Sequence, residues 1–285
     1  YTDHDILIPH HAELSDDEFL ALNGWEITFT EPQISPIHGV KRVCHMCIIA
    51  KDPDNVKQVC WFHRKHFNKN EDKANLADEP EFKTEYTPES INEAIARAKA
   101  AGFFVTYNHP TWSQEDYTKY TQYHGMDAME ICNFGCLEAG WQEYNPRVYD
   151  DMLRGGKRIF CIATDDNHNR VNDSFGGFTV IKADNLEYES VTKALKNGDF
   201  YASQGPLITE LTYEDGKFKI LNISDIQDGY PLNPLTKDYI EKTLDKVMPD
   251  LVVLTGDNIS GYDVAEEEDA EKAIREFMDI FETRN

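Results

Sequence analysis

The stretch "TPESINEAIARAKAAGFFVTYNHP", residues 87–110, decides the fold. Thr87 carries the hydroxyl that helix N-caps favour, Pro88 suits the first helical position, and Ile91 and Ile95 recur on one helical face. Gly102 is placed to end that helix, and Phe103 to Tyr107 make an apolar run of strand length. The strand then delivers Asn108 and His109, polar residues that packing does not require. The same order of helix, glycine, strand and polar cluster returns in "NPRVYDDMLRGGKRIFCIATDDNH", residues 145–168. There Gly155 and Gly156 close a helix, and Ile159 to Ala163 lead into Asp165, Asp166 and His168.

Repeated helix-then-strand units predict parallel strands, with every strand ending on the same side of a sheet. In such folds the carboxyl ends of the strands carry the chemistry. Other segments fit that edge. "YTDHD" sets Asp3 and His4 after the tail of a strand, "GWEITF" places Glu26 between apolar neighbours, and "RVCHMCIIA" holds His45 within a strand. "DAMEICNFG" adds Glu130 in a setting like that of Glu26. His10 and His11 follow a proline and are expected to face solvent.

Beyond Asp166 the pattern predicts a strand, a helix over roughly 187–197, and extended structure with turns at Asn197-Gly198 and Asp215-Gly216. From Leu221 the pattern restarts, so residues 1–215 and 216–285 are read as two segments. In the second, a strand runs into Asp225, and Ile240, Leu244 and Val247 share a helix face. An apolar strand then ends in Gly256-Asp257-Asn258. Ala273, Phe277 and Phe281 form the stripe of a last amphipathic helix.

The bulk composition narrows the function. Of 285 residues, 40% are hydrophobic, enough for a packed core in one large or two smaller domains. The net charge of −24 disfavours an extended nucleic-acid footprint or an anionic membrane surface, since both need basic patches. An anionic substrate would therefore need local cations. Six cysteines are spaced as neither a disulfide framework nor paired zinc knuckles, and Cys44 and Cys47 sit in an apolar run, so reduced thiols and a cytoplasmic location are expected. No stretch reaches the roughly 18 apolar residues of a membrane span, and no leader opens the chain.

His4, Glu26, His45, His109, Asp166 and His168 are individually ordinary. A lone histidine near a strand end is commonly a hydrogen-bonded structural residue, and an aspartate there commonly caps a turn. Together they are the imidazole and carboxylate donors that hard-to-borderline divalent metals take. In Asp166-x-His168 both side chains share one side of an extended segment.

"YTDHD", "GWEITF", "RVCHMC", "YNHP" and "DDNH", in this order, resemble the polymerase-and-histidinol-phosphatase (PHP) family of metal-dependent phosphoesterases, and "ALKNGDFYASQGPLI" resembles the tail that follows the barrel in many members. The resemblance spans residues 1–215. It implies a distorted (β/α) barrel with two or three divalent ions, manganese, zinc or iron, at the carboxyl ends of the strands. On it, His4, Glu26, His45, His109, Asp166 and His168 would be ligands. The family begins with a His-x-His strand ahead of the "TDHD" match, and nothing before Tyr1 supplies one, so the domain is read as N-terminally incomplete. "ILNISDIQDGY" and "MPDLVVLTGDN" resemble the start of a calcineurin-like metallophosphoesterase, which implies Asp225 and Asp257 as ligands. Gln227 stands where that family has a histidine, and its later motifs do not follow.

The expected activity is hydrolysis of a small phosphomonoester or phosphodiester, nucleotide-like given the aromatic loop "HPTWSQEDYTKYTQYHG". Clustered cations would clamp the phosphate and acidify a water. His109 or His168 would protonate the leaving oxygen, and Arg170 would contact the phosphate. The alternatives are amidohydrolase-like hydrolysis, which uses the same donor set, and a non-catalytic metal- or ligand-binding module.

Overall fold

The structure, a computed structural model, describes every residue except 35, 37, 38, 64–69, 71, 72, 169–171, 209–217, 262, 263, 265 and 283–285. It divides into two compact units, Tyr1–Leu207 and Ile208–Asn285. The restart near residue 215, like Arg170, lies outside the described residues.

The first unit runs β1 (Thr2–His4), α1 (His11–Leu14), β2 (Gly24–Thr30), β3 (Val43–Ala50), α2 (Pro88–Ala100), β4 (Phe103–Asn108), α3 (Tyr117–Tyr120), β5 (Ala128–Asn133), α4 (Phe134–Glu138), α5 (Pro146–Arg154), β6 (Phe160–Thr164), β7 (Phe178–Ile181), α6 (Tyr188–Asn197) and β8 (Phe200–Ser203). Strands β1 to β6 form one sheet in chain order, and β7 pairs antiparallel with β8. The deciding stretch folds as its residues dictate. The Thr87 hydroxyl accepts from the Ser90 N–H at 3.2 Å, Ile91 and Ile95 are buried, and Gly102 takes the left-handed φ of 93° that turns the chain into β4.

The β1–β2, β4–β5 and β5–β6 pairs are parallel, but β3 runs antiparallel to both its neighbours. The expectation that every strand ends on the same side is therefore wrong for β3. Its reversal follows from the link out of β2: residues 31–42 contain Pro32 and Pro36, the described residues among them form no helix, and a parallel crossover usually needs one. The consequence is useful. His45, third in β3, pairs with Thr28 and with Asn108, so an amino-terminal position on β3 reaches the edge where β1 and β4 end.

Alternation along the strands sorts the residues between two faces. Trp25, Ile27 and Phe29 of β2, Cys44, Met46 and Ile48 of β3, and Phe103, Val105 and Tyr107 of β4 join Ile91, Ile95 and Ala98 of α2 in the main core. Glu26, Cys47 and Thr106 lie in register across the opposite face. Phe104, Ala128, Ile162 and Leu195 form a smaller apolar cluster with Ile49. On that face an apolar floor thus sits at one end of the strands and the polar residues at the other.

The second unit holds β9 (Ile220–Ile223), α7 (Pro234–Val247), β10 (Leu251–Leu254) and α8 (Glu267–Glu282). Strands β9 and β10 are parallel, and Leu232, Ile240, Leu244, Phe277 and Ile280 make the core, with Phe281 at its margin. No helix among the described residues is long and apolar enough to cross a membrane.

Candidate metal centre

One cavity of about 120 Å³ is lined by His4, Glu26, His45, His109, Asp166 and His168 together with Trp112 and Asp173. These side chains come from β1, β2, β3, the turn after β4 and the turn after β6. Glu26 stands at their centre. Its Oε2 lies 2.8 Å from His4 Nδ1 and 3.3 Å from His45 Nδ1, and its Oε1 lies 3.3 Å from His109 Nε2. Asn108 Nδ2 also donates to Oε1, at 3.1 Å. Two of the turn residues, His109 and Asp166, take left-handed backbone with φ of 25° and 50°, which costs on the order of 1–2 kcal/mol for a side-chain-bearing residue. Such strain persists where surrounding contacts over-determine it. Glu130 supplies one: its Oε2 accepts the His109 N–H at 2.7 Å and an Asn133 amide proton at 3.1 Å, and the same amide reaches Asp166 Oδ2.

The electrostatics follow from burying acids among imidazoles. Burial alone would raise Glu26, but the charge of His45 and hydrogen bonds from His109 and His4 hold it well below the ordinary carboxylate value. Burial would lower His109, yet its hydrogen bond to Glu26 and the charge of Glu130 raise it to about 9. His4 is raised chiefly by its bond to Glu26. Glu130 is pushed up to about 7 by burial.

The donors fit a divalent cation. His4, Glu26 and His45 each offer a ligand atom within 4.8 Å of the other two, the only such group of three among the described residues. His45 Nδ1 is buried and, despite its closeness to Glu26, lacks the geometry of a hydrogen bond to any group. An orphaned ring nitrogen facing a carboxylate and a second imidazole suits an ion better than it suits packing. His168 is more open; its Nδ1 donates to the Asp166 carbonyl at 2.7 Å, which leaves Nε2 for a proton or an ion.

Asp225 and Asp257 occupy neighbouring loops of the second unit, after β9 and β10. The Asp225 N–H donates to Gly256 O at 3.2 Å and the Gln227 N–H to Asp257 O at 2.9 Å, and both aspartates take positive φ. No third donor joins them in a group among the described residues. His10 and His11 are half-buried rather than turned wholly to solvent: His10 bonds Asp3 at 3.1 Å, while His11 bonds Ala21 O and packs edge-on against Tyr188. Both stay off the cavity because their own turn uses their ring nitrogens. Glu143 and Asp173 were invisible to sequence reasoning. Each is an acid in a loop with no periodicity to mark it, and each is almost fully buried.

No family model, no curated protein and no solved structure matches this chain.

Proposed function

We propose that the first segment is a metal-dependent phosphoesterase of the PHP type, acting on a small phosphorylated substrate. The observation that carries this reading is the convergence of six residues, drawn from five ordered motifs, on one cavity. A distorted barrel is supported by the 5.8 Å between the His4 and His168 rings, which come from the first strand and from the turn after the sixth.

His4, Glu26 and His45 would hold one divalent cation, and His109, Asp166 and His168 extend the donor set for a second. Bound divalent ions would neutralise phosphate charge and acidify a water near neutral pH. The chain's own residues do the rest. Among the described residues lining the cavity, imidazoles are the only side chains that can carry positive charge. Whichever of His109, enclosed beside Glu26, and the more exposed His168 is not taken up as a ligand would protonate the leaving oxygen. In the second unit, the adjacent loops of Asp225 and Asp257 support its reading as the beginning of a calcineurin-like domain.

The test is elemental analysis of the purified chain, followed by phosphate release from phosphomonoesters and phosphodiesters with added manganese, zinc or iron. Release that needs metal and disappears in a His109→Ala, His168→Ala variant is the expected result. Bound metal with no phosphate released from any ester would overturn it, and turnover of amides instead would point to amidohydrolase-like chemistry.

A further inference from the structure

Two buried carboxylates hold the turn that carries His109. Glu130 takes the His109 N–H, and Glu143 takes the next two N–H groups in the chain: Thr111 donates to its Oε1 at 3.2 Å and Trp112 to its Oε2 at 2.6 Å. Pro110, between them, has no proton to give. Glu143 is itself fixed. Asn145 Nδ2 donates to its Oε1 at 2.5 Å, and the Thr111 hydroxyl donates to Asn145 Oδ1, closing a ring of hydrogen bonds.

A fully buried acid is an expensive way to satisfy two amides, because desolvation of a carboxylate costs several kcal/mol before its bonds are counted. What the two bonds accomplish is the placement of Trp112. Its ring stands edge-on to His109 at 4.9 Å and tilted against His45 at 5.5 Å, while 37% of the residue remains exposed. Ser113, also in this turn, meets His109 Nδ1 at 3.1 Å.

We propose that Glu143 is a positioning residue of this centre. By gripping the backbone at Thr111 and Trp112, it presses the indole against His45 and His109 and confines both imidazoles to the orientation that faces Glu26. This rests on the reading of the cavity as a metal centre, because metal affinity is what the confinement sets. Partners of this kind, one step removed from the ligands, typically change affinity by about 10- to 100-fold when lost.

The experiment strips the full chain of metal and titrates it with manganese and with zinc by calorimetry. Parent, Glu143→Gln, Trp112→Ala and the double variant are compared. The glutamine sets an amide N–H against a backbone N–H, so Glu143→Gln should weaken binding about tenfold or more, and so should Trp112→Ala. Because the two residues act in series, the double variant should be no weaker than the worse single one. The emission of Trp112, read as parent minus Trp112→Ala, should shift when Asn145→Ala loosens Glu143, a readout that survives if Glu143→Gln fails to fold. Affinity within about twofold of the parent in Glu143→Gln, additive losses in the double variant, or unmoved Trp112 emission in Asn145→Ala would each overturn the proposal. Should the parent bind neither ion, the metal reading fails separately. The positioning role is then judged by the imidazole NMR signals of His45 and His109, which must move in Asn145→Ala.

Discussion

His4 and Glu26 are Cα partners in the first parallel strand pair, and their side chains meet at 2.8 Å. Across the other edge of β2, the antiparallel run of β3 brings His45 to the same carboxylate, and the turn after β4 adds His109. One acid thus serves three imidazoles because three strand registers converge on it.

Glu26→Gln removes the negative charge that lies within 3.3 Å of all three rings. The neutral amide oxygen is a much weaker ligand than a carboxylate, so bound manganese or zinc should fall from the parental amount to near background after dialysis, as measured by elemental analysis. In the metal-free protein the unfolding free energy from urea titration should also drop, by on the order of 3 kcal/mol, since breaking a buried pair strands its partner. Retention of parental metal content would remove Glu26 from the centre of the site.

The pH dependence of the metal-free chain follows from three groups. His109 is raised to about 9, so its contribution is complete below its unfolded value and is lost as pH rises through about 9. Glu130, an acid raised to about 7, adds a loss in the same direction over the range from its unfolded value to about 7. Glu26 is depressed, so its stabilisation is present above the unfolded carboxylate value and disappears only in acid. Thermal melts in chelator should therefore be higher near pH 6 than near pH 9.5. Metal affinity should move oppositely, because ligand imidazoles must shed their protons. A metal-free melt that rises between those two pH values would contradict the assignment.

The legible parts of this molecule are those that follow from local chemistry. Thr87, Pro88 and Gly102 punctuate α2 by capping and backbone preference, and the alternation of Trp25, Ile27 and Phe29 with Glu26 and Thr28 separates core from cavity. The reversal of β3 was not legible, because "VCHMCIIA" alternates identically in either direction and only pairing fixes which end meets Glu26. Glu143 was hidden for a related reason. Its role is to bond the backbone of residues more than thirty positions away, and no local spacing records that.

Toward the main core one acid gathers three tyrosine hydroxyls. Glu115 receives the hydroxyls of Tyr107 at 2.7 Å, Tyr123 at 2.8 Å and Tyr86. Tyr107 is wholly buried and contributes to the core face of β4, away from the cavity. Tyr107→Phe should cost about 1.5–3 kcal/mol, the range for a hydrogen bond to a charged group, and should leave metal affinity unchanged. Urea unfolding and metal titration on the same preparation check both halves, and an affinity loss would show that the two faces of the sheet are coupled.

Gly135 opens α4 against the turn that bears Asp166. Its N–H donates to Asp165 O at 2.8 Å, and an added Cβ would lie 2.7 Å from Asp165 O and 2.9 Å from Asp166 O. Neither side can yield cheaply. Asp165 is gripped by the N–H groups of Phe175, Gly176 and Gly177, and Asp166 is held by Asn133. Alanine favours a helix over glycine by about 1 kcal/mol, but here that gain is outweighed by a backbone clash of the kind that costs about 1–3 kcal/mol. Gly135→Ala should lower the melting temperature and displace Asp166 from the cavity, reducing metal stoichiometry or affinity. Gly261→Ala, where an added Cβ meets nothing within 4 Å, serves as the control and should change neither quantity. Equal behaviour of the two variants would mean that the α4 entrance and the Asp166 turn separate freely, and that close packing at Gly135 does not set the position of this candidate ligand.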